Sequence, residues 1–282
     1  FAPLLASWNI ADRIHPLPAR GLGYWRYFRA QRLEYPDVWL LFTNSVRGDV
    51  EAWLTGCRQR FGLVRPGKWR PLLTHRYRVP ADFDETRQHQ LTLWENFLRH
   101  FGLAAPVDRS PLVAPPPPRL PAAAGVSAPI GLIPGSENTP AKRWPVAHWR
   151  ALIQAFPHEH FVVFGTATDG PIANAVTADF APERVRNLAG RTDLPAYIQQ
   201  LTACRLLVTN DTGGMHLANA LGVPLIVLFG PTNPVRTGPV FSGPTIILQP
   251  PGCAPTGGGS LADLSPETVA ATLRAAYPAS VS

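Results

Sequence analysis

The sequence predicts an α/β protein built on a doubly wound parallel sheet, and two observations carry that prediction. Short apolar runs alternate with helix-length amphipathic stretches over residues 130–229, the order that parallel strands joined by crossover helices require. The chain has 282 residues, 45% of them apolar and 16% charged, which is enough to fill one large core or two ordinary ones. This balance excludes a disordered chain, and the 32 Pro and 23 Gly lack the period of a collagen-like repeat. The longest apolar run, residues 223–229, is strand-sized and interrupted by Pro224, far short of a membrane span. A soluble protein, at most peripheral to a membrane, is expected.

Each element follows from its local pattern. Residues 38–42, Val-Trp-Leu-Leu-Phe, read as a strand, followed by the polar turn Thr43-Asn44-Ser45 and a helix through Trp53, Leu54 and Cys57. A second helix is expected from Glu85 to Phe101, with Gly102 closing it. Residues 104–127 then change to Pro and Ala, with Pro115 to Pro118 consecutive, and are read as a stiff extended linker. Beyond it the alternation is regular. Strands are expected at 130–133, 161–164, 185–188, 206–209 and 225–229, with helices at 147–156, 172–180, 194–203 and 215–221 between them. A last helix covers 266–276. The domains predicted are therefore 1–127, including the linker, 128–264, and a C-terminal helix within 265–282.

Cys57, Cys204 and Cys253 form neither a disulfide framework nor a zinc ladder, and point to reduced thiols in a cytoplasmic compartment. The chain opens Phe1-Ala2-Pro3 without Met or a signal-like segment, which reads as a fragment or a processed chain. Charge is divided unevenly. Residues 1–128 carry 17 Lys and Arg against 10 Asp and Glu, and residues 129–282 carry 9 against 9, so the first half holds the whole net charge of +7. An anionic partner for that half is one explanation, and a solvated basic face is the other.

Open α/β sheets bind ligands at the carboxyl ends of their strands, so the segments after the strands are the candidate sites. After the strand ending at Thr209 comes Asn210-Asp211-Thr212-Gly213-Gly214-Met215-His216. Two glycines at a strand-to-helix turn admit a ligand close to the backbone, and the first-turn amides carry partial positive charge. This is an anion site for phosphate, with Thr212 adding a hydroxyl and His216 one turn in. The competing reading is a helix in which Asp211 or Thr212 caps its own backbone and His216 packs. The loop after residue 133 carries Lys142 and Arg143, cations suited to phosphate, and Trp144, read as a packing anchor. His158, Glu159 and His160 lack metal-ligand spacing, and no metal site is expected.

Three of these segments together resemble glycosyltransferase family 9. They are Pro134-Gly135 with Ala141-Lys142-Arg143-Trp144-Pro145, then Asp211 through Gly222, then Leu228-Phe229-Gly230-Pro231-Thr232. The Ala-Lys-Arg-Trp-Pro form looks more like the heptosyltransferase II branch than the I branch. Weaker similarity in the first half covers Thr43-Asn44-Ser45-Val46-Arg47 through Trp53-Leu54, Gln59-Arg60-Phe61-Gly62, Leu72-Leu73-Thr74, and the helix opened by His89.

The resemblance implies a GT-B architecture of two Rossmann-like domains, the first binding the acceptor and the second the nucleotide-sugar donor. It implies inverting transfer of heptose from ADP-heptose to an anionic inner-core lipopolysaccharide acceptor, with no metal or other cofactor. It makes Lys142 a partner of the donor phosphates, and Asp211, Thr212, Gly213 and Gly214 the pyrophosphate cradle. His216 assists the departing diphosphate, and Asp169 holds the ribose. Ser45 and Arg47 are expected at the acceptor. The family pattern opens with strand, Gly-rich loop and helix carrying an Asp general base; this chain enters that pattern later, so its first domain is expected to be incomplete and to lack that base. Partners expected are the donor, the acceptor and, peripherally, the inner membrane; no nucleic-acid module is recognised.

Within the family, a transferase using another sugar is the alternative, and two other classes compete with the enzyme reading. A module that binds ADP-sugar without transferring it requires only the second domain. A nicotinamide oxidoreductase requires a Gly-x-Gly-x-x-Gly turn with a following acidic residue, which this chain lacks.

Overall fold

The computed structural model describes residues 5–6, 8, 11–103, 106–112, 128–136 and 139–276. The described chain divides into one unit of residues 13–107 and another that holds the described residues up to Asp12 together with those from Asp108 onward.

In the first unit, Val38–Leu41 (β1), Gln59–Val64 (β2) and His75–Arg78 (β3) form a three-stranded parallel sheet in the order β1-β2-β3. Only β1 was legible as a strand. β2 and β3 are short and carry Arg60, His75, Arg76 and Arg78, so their periodicity is weak, and pairing rather than propensity selects them. Leu22–Ala30 (α1) was also unforeseen; it buries Tyr24 and Phe28, and the Tyr24 hydroxyl donates to Glu51 Oε1 at 2.5 Å. Val46–Leu54 (α2) starts at Ser45, whose Oγ accepts from Gly48 N at 3.2 Å. Gln90–His100 (α3) sends Leu93 and Phe97 into a core with Leu63, Tyr77 and Val79.

The helix expected from Glu85 starts five residues later, at Gln90. The Asp84 carboxylate accepts from both the backbone N–H and the hydroxyl of Thr86, which closes a local turn and competes with helix. The carboxylate of Asp49 is held by the Arg70 guanidinium beneath this unit's surface, both side chains no more than 3% exposed.

The second unit contains a six-stranded, all-parallel sheet in the order β6-β5-β4-β7-β8-β9. Its strands are Ile130–Ile133 (β4), Phe161–Val163 (β5), Val185–Asn187 (β6), Leu206–Asn210 (β7), Leu225–Leu228 (β8) and Thr245–Leu248 (β9). Helices Val146–Gln154 (α4), Gly170–Thr177 (α5), Leu194–Thr202 (α6), Gly213–Ala220 (α7) and Pro234–Thr237 (α8) lie between successive strands. Alternate residues of the strands enter two separate cores, Leu132, Val208 and Ile226 on one face and Val162, Leu207 and Val227 on the other. Burial on both faces is why these strands read as continuous apolar runs. β9 was not foreseen.

Pro266–Ala276 (α9) packs on α4 and contributes Val269, Ala270 and Leu273 to the first of these cores. It is part of the second unit. So is the end of the segment read as a linker: Leu112 N–H donates to Ala220 O at 2.6 Å, and Ser242 N–H to Arg109 O at 2.7 Å. The run Pro115 to Pro118 lies outside the described residues.

Among the described residues no helix is long and apolar enough to cross a membrane. The thiols of Cys57, Cys204 and Cys253 are free. Burial pushes the Cys204 thiol up to about 12, which keeps it protonated and inert.

Candidate functional site: the carboxyl ends of β4 and β7

The strand order places the site. From β4 the chain winds outward through β5 to β6, then crosses back to β7 on the other side of β4 and winds outward again. β4 and β7 are thus hydrogen-bonded neighbours whose following loops diverge, which is the switch point where such sheets open a crevice. The loop after β4 carries Lys142, and the loop after β7 carries Asp211, Thr212, Gly213 and Gly214.

Asn210, the last residue of β7, ties the two loops together. Its Nδ2 donates to Pro134 O at 2.9 Å, and its Oδ1 accepts from Trp144 N at 3.3 Å. Trp144 is fully buried, donates Nε1 to Leu264 O at 2.8 Å and meets Trp149 edge-on; it is the packing anchor expected. Between these fixed points a short 3-10 turn, Pro140–Lys142, brings the Lys142 ammonium within 2.8 Å of Asp211 Oδ2. The lysine side chain is 26% exposed and the aspartate 7%. Arg143 turns away, donating to Ser136 O at 2.9 Å. Sequence reasoning missed Asn210; a lone amide closing an apolar strand was the available signal.

α7 begins at Gly213, two residues before the position expected, because both glycines join the first turn. Thr212 is its extended N-cap residue, yet the Thr212 side chain accepts no capping bond, and Asp211 is engaged by Lys142. The self-capped helix considered above is therefore not what forms. Thr212 Oγ1 is buried without a hydrogen-bond partner, and such a group in a native fold calls for a ligand or water. Gly214 is required by packing as well: a Cβ there would lie 2.5 Å from Ile133 Cδ1 and 2.8 Å from the Tyr197 hydroxyl. His216 follows on the same helix, half-buried. Cation, first-turn amides and an unsatisfied hydroxyl thus converge on one place, the composition of a phosphate site.

Asp169 lies after β5, on the other side of β4. Its Oδ2 accepts from Thr166 N at 2.8 Å and Thr166 Oγ1 at 2.7 Å, closing a capping box. The carboxylate abuts Gly135 so closely that a Cβ there would collide with Asp169 Oδ1. Asp169 is thus rigidly held at the rim of the β4 loop. Tyr197, from α6, also reaches this rim; burial first, then the Cys204 thiol and the Asp169 carboxylate, raise its phenol well above its ordinary value. Ser45 and Arg47 sit at the start of α2 in the first unit, Ser45 as N-cap and Arg47 paired with Glu51 at 3.1 Å. Among the described residues no cluster of three His, Cys, Asp or Glu side chains is placed to ligate a metal.

Parallel sheets in both units, with a candidate anion site at the switch point of the second, place the protein in the α/β class whose structural neighbours are GT-B transferases. The sequence profile of glycosyltransferase family 9 (heptosyltransferase) matches residues 26–259, and the chain belongs to this family. Lipooligosaccharide heptosyltransferase 2 of Haemophilus influenzae is 41% identical over 124 residues, 42% of this chain and 36% of the relative. The match thus spans little more than a third of that relative's length. Lipopolysaccharide heptosyltransferase 1 of Pseudomonas aeruginosa is 30% identical over 230 residues, 77% of this chain and 61% of the relative. The solved structure of Escherichia coli ADP-heptose lps heptosyltransferase II superposes with a TM-score of 0.74 at 27% identity, covering 97% of this chain and 86% of that one.

Proposed function

We propose that the protein transfers heptose from ADP-heptose to a sugar hydroxyl of an anionic lipopolysaccharide core, with inversion and without a metal ion. The observation that carries this reading is the Lys142–Asp211 pair set beside the α7 N-terminus and the unsatisfied Thr212 hydroxyl. The relatives named above are heptosyltransferases, one of them an ADP-heptose enzyme by name.

In the reaction the bond from the anomeric carbon to the diphosphate oxygen breaks while the acceptor oxygen bonds that carbon from the opposite face and passes its proton to a general base, the role that the family pattern gives to an Asp outside residues 1–282. Negative charge grows on the leaving diphosphate, and catalysis requires donors aimed at it. Lys142, the Gly213 and Gly214 amides and the Thr212 hydroxyl supply them, so no metal ion is needed for that role. Asp211 keeps the lysine aimed at the cradle, His216 assists the departing diphosphate, and Asp169 receives the ribose. Ser45 and Arg47 are assigned to the acceptor. Incubation of a form that carries that Asp with ADP-heptose and a heptose-accepting core oligosaccharide is expected to release ADP in proportion to transferred heptose. ADP-heptose binding without ADP release would instead identify a binding module, and the absence of binding would refute the site.

A lipid-linked acceptor places the protein at the cytoplasmic face of the inner membrane, and the first unit has a surface suited to it. Residues 13–107 carry 15 Lys and Arg against 8 Asp and Glu. Around α1, the exposed Leu22, Trp25, Leu33 and Tyr35 stand among exposed Arg26, Arg29 and Arg32. Apolar side chains interleaved with cations fit an anionic bilayer surface. The protein is expected to sediment with phosphatidylglycerol-containing vesicles at low salt, and Arg26→Glu with Arg29→Glu to abolish this. Equal retention by neutral vesicles, or none by anionic ones, would refute the contact.

A further inference from the structure

We infer that Tyr197 is a donor-binding residue of this chain, its hydroxyl donating a hydrogen bond to a nucleoside diphosphate where the ribose meets the first phosphate. The inference rests on the donor site proposed above and adds a contact that the sequence motifs do not contain.

Tyr197 lies on α6, outside all three motif segments. Its ring is fixed edge-on against Phe164, with centroids 5.4 Å apart. That packing directs the hydroxyl at the first turn of α7, where only the missing side chain of Gly214 leaves room for it. A tyrosine hydroxyl carried inward on a packed ring ordinarily ends on a protein acceptor. Among the described residues this hydroxyl is paired with no protein acceptor. The hydroxyl stays protonated, because burial disfavours the phenolate, so it acts only as an uncharged O–H group.

Its neighbours define what it meets. On one side stand the Gly213 and Gly214 amides with Thr212 Oγ1, which suit phosphate oxygens. On the other, beyond Ile133, which meets the same Gly214 position, lies the Gly135 turn against which the Asp169 carboxylate is held, and a carboxylate suits sugar hydroxyls. A neutral donor between a phosphate cradle and a carboxylate matches the oxygen-rich junction of ribose and phosphate. The far phosphate is instead assigned to Lys142, and the adenine base of ADP, which has no oxygen, offers only ring nitrogens as acceptors.

The test is Tyr197→Phe in the full chain, titrated calorimetrically with ADP and with inorganic pyrophosphate, beside the unchanged protein and Lys142→Ala. Loss of one neutral hydrogen bond is expected to weaken ADP about three- to tenfold, to leave pyrophosphate within about twofold, and to leave the thermal midpoint unchanged, since no protein partner is lost. Lys142→Ala is expected to weaken both ligands. Wild-type affinity for ADP in Tyr197→Phe, alongside weakened Lys142→Ala, would overturn the inference and leave the donor site standing. Equal losses for ADP and pyrophosphate would overturn the placement at the ribose, and a lowered midpoint would make the residue a packing element. If the unchanged protein bound no ADP, the inference would fall with the site.

Discussion

Lys142→Ala is expected to weaken ADP binding by about tenfold or more while leaving the fold intact. Hydrogen bonds to charged groups contribute about 1.5–3 kcal/mol, and the lysine's 26% exposure places the expected loss at the lower end through solvent screening. Truncation removes the cation and also leaves the Asp211 carboxylate, only 7% exposed, facing the incoming diphosphate. Both effects act against the ligand. Asp211→Asn separates them, because it keeps the ammonium, removes the like charge and frees the lysine from its partner. If Lys142 acts through its charge, Asp211→Asn retains far more affinity than Lys142→Ala. Undiminished ADP affinity in Lys142→Ala would mean that the diphosphate does not sit at the switch point of the second sheet.

The largest effect on stability is expected from Arg70→Met. Arg70 grips Asp49 through Nε at 3.0 and 3.1 Å and again through its terminal nitrogen, and Nη1 donates to Leu63 O at 2.6 Å. It thereby joins α2 to β2 beneath the surface of the first unit. Removing one partner of a buried pair strands the other charge in a low-dielectric setting, at a cost of about 3–5 kcal/mol. Two isolated charges are costly to bury, however, so the pair itself adds little net stability compared with apolar side chains of similar size. Arg70→Met is accordingly expected to lower the urea midpoint of the first unit sharply, and Asp49→Leu combined with Arg70→Met to recover most of it. A single substitution costing less than about 1 kcal/mol would show that the pair is hydrated in solution. The second unit serves as an internal reference in the same unfolding curve.

Particular residues show why some elements were legible and others were not. β4, β7 and β8 are runs of apolar residues buried on both faces, so each position carries the same message and the strands stand out. β2 and β3 alternate Arg and His with apolar residues, and β9 is only partly buried; their pairing partners, remote in the chain, select the extended form. The delayed start of α3 came from Asp84, whose carboxylate prefers the two donors of Thr86 to a helix one residue on. Trp144 was read as an anchor from its size and its proline neighbour, and it is one.

The candidate site divides in the same way. Three spaced motifs announced the family, and the residue types of Lys142 and of Asp211 through Gly214 pointed to an anion site, because phosphate recognition needs glycine, hydroxyl and cation at set places along the chain. Whether Thr212 capped its own helix was open until tertiary structure, which draws Asp211 to Lys142 69 positions away, left the Thr212 hydroxyl without a capping bond. Asn210 and Tyr197 were invisible for the same reason. A strand-end amide and a helix tyrosine have no local signature of function, and acquire one only when the return of the chain from β6 to β7 brings three loops and one helix to the same edge. The sequence by itself determined the fold class, the succession of β4 to β8 along the second domain and the residue types gathered at the candidate site. Tertiary structure alone decided which polar groups spend their hydrogen bonds on the protein and which remain for a substrate, since that depends on distances between segments that local pattern does not encode.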